Sequence, residues 1–182
     1  MATALTLPLM TVEQYFELPD PDGPYIWELH FGEPVKVGRP KRAHYNMQML
    51  LLDLLTRKLS IRKWLVGVEM PYGLTPGYDY RGADVGVVLR KRWDADPEAD
   101  AMIGSPDIVI QVKSRSNRDR KMEEDALLHI THGASAVWLV KLERREVIVI
   151  TAASRQVYAL GQSIPLPGSA SVDVSEIFVG DK

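Results

Sequence analysis

No cysteine occurs among the 182 residues. That excludes disulfides and thiolate metal sites, and it leaves the redox compartment unread. Residues 1–10 lack a basic start and carry only a short apolar run, so neither a signal peptide nor a membrane span is expected there, and the protein is read as cytoplasmic. Neither sign of charge dominates. A formal net charge of −2 excludes a strongly basic nucleic-acid coat, though not a local basic groove. Gly82, Gly86 and Gly104 make no phosphate-cradling fingerprint, no Ser-His-Asp set is detectable, and there is no helix-turn-helix or zinc module. Internal repeats and low-complexity segments are missing too. Apolar residues, in contrast, are plentiful. At 46% hydrophobic content the chain can bury one sizeable core, so residues 1–182 are read as a single domain.

Thr11 is an N-cap hydroxyl for a short helix carrying Val12, Tyr15 and Phe16, stopped by Pro19. The run Pro19-Asp-Pro-Asp-Gly-Pro24 reads as a loop. Tyr25 to Phe31 and Val35 to Val37 are then the two strands of a hairpin around Gly32-Glu33-Pro34, with Glu28 in the first. After Gly38-Arg39-Pro40 comes the best helix in the chain. Its stripe of Met47, Leu50, Leu51, Leu54, Leu55 and Leu59 follows the three-four spacing, and His44 lies one turn before Met47 on that stripe. Strands are expected at Leu65 to Met70 and Ala83 to Leu89, followed by an acidic loop from Trp93 to Ser105. A second helix runs from about Asn117 to His132, packed through Met122, Ala126 and Ile130 and ended by Gly133, with Asp125 and His129 on the margin of that side. Strands at Ala136 to Val140, Glu146 to Thr151 and Gln156 to Leu160 close the pattern. The tail offers a small hydrophobic dock at Val174, Ile177 and Phe178. These elements add up to an α/β fold with a mixed central sheet.

The stretch from Pro106 to Ser116, Pro-Asp-Ile-Val-Ile-Gln-Val-Lys-Ser-Arg-Ser, poses the chemical question. Alternation puts Asp107, Val109, Gln111 and Lys113 on one face and Ile108, Ile110 and Val112 on the other. A buried amide and ammonium without partners would cost several kcal/mol, on the order of 2–7 for a neutral polar group. Something must sit opposite them. Asp84 on another strand is the natural companion: two strands each presenting an oxygen donor can hold one hard divalent cation, magnesium or manganese, with waters and a substrate phosphate completing the shell. Lys113 then falls on the same face, where it can orient or deprotonate the attacking water and neutralise charge at phosphorus. This is the chemistry of metal-assisted phosphodiester hydrolysis. Asp107 is a lure, because it stands about 13 Å from Gln111 along the same strand at the usual rise.

These pieces carry a family resemblance. An Asp on one strand followed by Gln-x-Lys on the next, flanked by helices, resembles the restriction-endonuclease-like (PD-D/E-x-K) nucleases. More specifically, the chain resembles the Uma-two family of bacterial putative restriction endonucleases over nearly its whole length. The matching stretches are Tyr25-Ile-Trp-Glu-Leu-His-Phe-Gly-Glu, the helix opening at His44, Gly82-Ala-Asp-Val-Gly-Val-Val, Pro106 to Ser114, Asn117-Arg-Asp-Arg and His132-Gly-Ala-Ser-Ala-Val-Trp-Leu-Val. The resemblance implies a restriction-endonuclease-like fold with an N-terminal hairpin, magnesium-dependent cutting of DNA, and a homodimer. It makes Asp84 the first metal ligand, Gln111 the second-ligand position, Glu28 and His44 accessory polar residues, and Asp119 the polar residue opening the following helix. Two departures stand out. The family usually has Glu at position 111, and it usually places its lysine on the helix where this chain has Asp125. A strand carboxylate is lost and a strand lysine gained, so the charges are rearranged rather than removed.

Plainer readings stand beside these. Asp84 can be a strand-end cap, Gln111 and Lys113 a solvated face, His44 a core histidine, Glu28 a surface residue, and Asp125 and His129 the rim of an amphipathic helix. Among the basic groups, Arg115, Arg118, Arg120 and Lys121 differ from ordinary solvated runs because they follow Lys113 directly. Phosphates held there would sit near the scissile position. The expected function is therefore a magnesium-dependent endonuclease on DNA. The alternative is an inactive nuclease-fold module that binds nucleic acid or a protein, supported chiefly by the neutral Gln111.

Overall fold

The structure is a computed structural model describing residues 9–113 and 119–179, with Asp119 placed by its backbone alone. Helix α1 (Val12–Phe16) is capped by Thr11 through a capping box with Gln14. Strands β1 (Tyr25–His30) and β2 (Glu33–Gly38) form the expected antiparallel hairpin. Helix α2 (Arg42–Lys58) follows, then the long strands β3 (Trp64–Gly73) and β4 (Arg81–Leu89). The stretch read as a bare acidic loop begins inside the short helix α3 (Arg90–Trp93) and contains a two-residue strand, β5 (Met102–Ile103). Two residues carry no periodicity, so nothing in the sequence marks them as a strand.

Strand β6 (Ile108–Lys113), helix α4 (Asp119–Thr131) and strand β7 (Ala136–Lys141) make a parallel crossover, ended at Gly133 with φ of +105°. Then come β8 (Glu146–Ile150) and β9 (Arg155–Tyr158). The seven strands lie in the order β5-β3-β4-β6-β7-β8-β9 and mix parallel with antiparallel pairs, as the α/β reading requires. The tail folds as the hairpin β10 (Ser163–Pro165) and β11 (Ser171–Asp173), followed by helix α5 (Val174–Ile177). Among the described residues no helix is long and apolar enough to cross a membrane.

Each face of the sheet has its own core. On one, Met47, Leu51, Leu54 and Leu55 of α2 meet Val85, Val87, Ile108, Ile110 and Val112, and the tail adds Val174, Ile177 and Phe178. On the other, Met122 and Ala126 of α4 meet Val109, Val137 and Leu139. His129, expected on the margin of α4, is only 3% exposed and belongs to this buried side. Its Nδ1 meets the Ser105 hydroxyl at 3.2 Å, which satisfies a ring nitrogen that apolar packing alone would leave costly.

One rung breaks the alternation. Val68 pairs with Val85 toward the α2 side, yet Met70 pairs with Ala83 toward the α4 side. Residues two apart on a strand normally share a face. The residue between them, Glu69, has φ of +46°, a left-handed conformation that is a backbone outlier for a non-glycine residue in a strand. Both strands change faces between these two pairs, where Glu69 and Asp84 lie and the paired ladder is interrupted.

Candidate metal and nucleic-acid site

Strand β4 pairs with β6 from Val87–Ile108 to Val85–Ile110, and the next rung would join Asp84 to Gln111. The ladder stops there. In its place the Asp84 carboxylate reaches across, and Oδ2 accepts the Val112 backbone N–H at 2.6 Å. The strand-end cap and the acidic companion of Gln111 are thus one residue. The other oxygen, Oδ1, lies 3.0 Å from His44 Nε2, although that nitrogen is buried off the line of a proper hydrogen bond. Helix α2 sets this distance by turning the third of its residues inward over the parting strands. Burial works against a charge on His44, but contact with Asp84 and the negative charge of Asp84 and Glu69 outweigh it and raise its pKa.

Glu28 arrives from the hairpin. Its Oε1 accepts the Gly82 N–H at 3.1 Å and its Oε2 meets His30 Nε2 at 2.6 Å. Glu69, which the sequence pattern did not single out, completes the acidic group. Glu69 is exposed to solvent as a residue, yet the partial enclosure of its carboxyl is the main cause that raises its pKa; a hydrogen bond from Gln48 opposes this, and Asp84 adds to it. Gln48 was also missed. It is 1% exposed, and its Nε2 donates to Glu69 Oε1 and lies 3.4 Å from Asp84 Oδ1. The signals were faint but present: an acid inside an apolar strand, and an amide one helical turn after His44 on a leucine-rich stripe.

Lys113, Gln111, Asp125 and Lys121 line the same groove, about 1380 Å³ in volume, which runs between the β1–β2 hairpin and α4. Arg39 and Lys41 stand on the hairpin side, Lys121 and Arg144 opposite. The buried Lys141, in register beside Lys113, lines it too and had no signal beyond ending a strand. Asp119 is the first residue of α4. Arg115 and Arg118 lie outside the described residues. Arg120 is highly exposed and paired to Glu124 at 2.8 Å. Asp107 does sit apart from the acidic group, where it accepts the Leu89 N–H at 2.8 Å and pairs with Arg92 at 3.0 Å.

The donor set suits a hard cation. A Cβ on Gly82 would stand 3.5 Å from Glu69 Oε2 and 3.9 Å from Glu28 Oε1, so the bare glycine leaves the two carboxylates a shared cradle. Gln48 Oε1 is a buried oxygen with no hydrogen-bond donor. Among the described residues no three His, Asp or Glu form a ready-made metal cluster, so an amide oxygen or water has to complete any shell.

Comparison with known proteins first defines the fold. The chain superposes on the crystal structure of a putative nuclease belonging to DUF820 from Anabaena variabilis with a TM-score of 0.78, over 93% of this chain and 97% of that one, at 18% identity. This chain therefore shares that protein's fold, a mixed sheet flanked by helices. No curated protein matches the sequence significantly. The family's sequence profile matches residues 12–180, and the chain belongs to Uma2, the family described as putative restriction endonuclease.

Proposed function

We propose that this protein is a magnesium-dependent endonuclease that hydrolyses phosphodiester bonds in DNA, working as a homodimer when both strands are cut. The observation that carries this reading is the parting of β4 and β6 at Asp84 and Gln111 on the floor of a groove with basic sides. Asp84, Glu28 and the Gln111 amide oxygen are the residues that would hold the ion; manganese fits the same oxygen donors. A magnesium ion held by these residues would supply activation of water and neutralisation of charge at phosphorus. Lys113, on the groove beside Gln111, orients that water and offsets the charge of the phosphate. His44 positions Asp84, and Asp125 on the opposite wall tunes the field. Arg39, Lys41 and Lys121 provide phosphate contacts that position the duplex without reading its sequence.

The test is magnesium-dependent nicking of supercoiled plasmid. Asp84→Ala is expected to abolish it. Because Asp84 also holds the Val112 N–H, Asp84→Asn is the second variant: it keeps an oxygen for that bond and removes the charge. Nicking by Asp84→Asn at the parental rate sinks the assignment. A second reading, a non-cutting module that binds nucleic acid or a protein, draws on the neutral Gln111 and the lack of a ready-made three-residue cluster among the described residues. Binding of DNA with no magnesium-dependent cleavage by the parent protein would favour it.

A further inference from the structure

Position 111 offers β6 no carboxylate, yet a second carboxylate stands beside Asp84 from the other direction. Glu69 and Asp84 lie between the Val68–Val85 and Met70–Ala83 pairs, where both strands change faces. Its backbone is held at φ of +46°, a conformation that is disfavoured in a non-glycine residue and persists only where the surroundings impose it. An ordinary strand would leave no such strain. What the strain accomplishes is visible: the side chain reaches Gln48 and the open space over Gly82.

Gln48 is the independent sign that a ligand belongs there. Its amide is almost wholly buried, and its Nε2 lies between Glu69 Oε1 and Asp84 Oδ1. A partly positive N–H group bridging two carboxylates occupies the position that a cation would take. The other end of the same amide, Oε1, is buried with no donor. A buried acceptor left unmade is disfavoured, and turning the amide would present this oxygen to an ion between the carboxylates.

We propose that Glu69 supplies the carboxylate that Gln111 lacks, so that Asp84 and Glu69, with the Gln48 amide oxygen as neutral third donor, hold the divalent cation. This rests on the reading of the site as a divalent-cation centre, and it moves the second-ligand position from the neutral Gln111 of β6 to Glu69 of β3. Gln111 then becomes a wall residue of the groove beside Lys113. The arrangement keeps two negative charges at the ion while sparing the β6 face for substrate and lysine.

The test is manganese binding to the full chain by isothermal titration calorimetry, with free manganese counted by electron paramagnetic resonance. Glu69→Gln preserves size and the hydrogen bond to Gln48, and circular dichroism checks that it folds. It is expected to weaken affinity by about tenfold or more, the equivalent of about 1.4 kcal/mol. Gln111→Ala is expected to weaken it less than Glu69→Gln does. Parental affinity in Glu69→Gln, or a larger loss in Gln111→Ala, overturns the role of Glu69 and leaves the nuclease reading standing. Absence of manganese binding by the parent at millimolar metal overturns both. Gln48→Met, which keeps the volume and removes the amide, is expected to weaken binding severalfold; parental affinity there removes Gln48 from the donor set.

Discussion

His129 shows how one buried side chain ties stability to pH. Burial above all, and then the positive charge of Arg81, push its pKa down to about 4 from 6.5. Above 6.5 the ring is neutral in both folded and unfolded chains, and pH has no purchase on it. Between 6.5 and about 4 the unfolded chain takes up a proton that the folded one refuses, so stability falls as pH falls, and the effect levels off below about 4. His129→Gln retains groups that can meet Ser105 and Tyr72 but does not titrate. Urea unfolding at pH 7 and at pH 4.5 is expected to show the gap between parent and variant shrinking by about 2 kcal/mol at the lower pH. A gap that stays constant would mean that His129 is not protonated on unfolding. Legibility at this scale follows the same physics. Gln111 and Lys113 could be placed on one face because strand alternation assigns a face to each residue, and both line the groove. Glu69 could not, because a positive φ suspends alternation at the very position where it matters. His129 read as marginal because helical spacing places a residue on a face without saying how far the sheet reaches over it.

Among elements, the tail shows how much the core depends on chain far from the site. Helix α5 is four residues long, yet Val174, Ile177 and Phe178 are all nearly or fully buried against α2. Asp173 caps it through Ser175 and Glu176, and Glu176 also meets Lys58 at the end of α2 at 3.0 Å. Such a helix has no stability of its own, since nucleating one turn is unfavourable, so packing must hold it. Ile177→Ala is therefore expected to cost about 2–5 kcal/mol, the range for a central core residue. A loss under about 0.5 kcal/mol in urea unfolding, the range of a surface substitution, would show the tail to be peripheral. The dock was legible as three apolar residues in a polar tail. The hairpin of β10 and β11 and the strand β5 were not, because runs of two or three residues carry no period. The long strands and α2 were legible for the opposite reason, since each repeats its pattern often enough to select one geometry.

For the whole molecule, a net charge of −2 means that, on the proposed nuclease reading, attraction to DNA would have to come from where the charges sit rather than from their sum. The groove gathers Arg39 and Lys41 on the hairpin side and Lys121 on the α4 side, with the acidic centre on its floor. On the proposed reading, basic sides over an acidic floor would attract phosphates to the edges and leave the centre for a cation to neutralise. Each side chain that neutralises a phosphate releases a counterion, which appears as about one unit in the slope of log affinity against log salt. Arg39→Ala and Lys121→Ala are each expected to reduce that slope by about one, and the double variant by about two. Arg57 serves as the control, because it sits near the C-terminal end of α2, exposed and already paired to Asp53 at 2.7 Å. Fluorescence anisotropy of a labelled duplex between 50 and 200 mM salt, roughly the range over which such affinities move steeply, separates the cases. If Arg57→Ala lowers the slope as much as Arg39→Ala does, DNA is held by diffuse charge over the surface, and the groove is not its track.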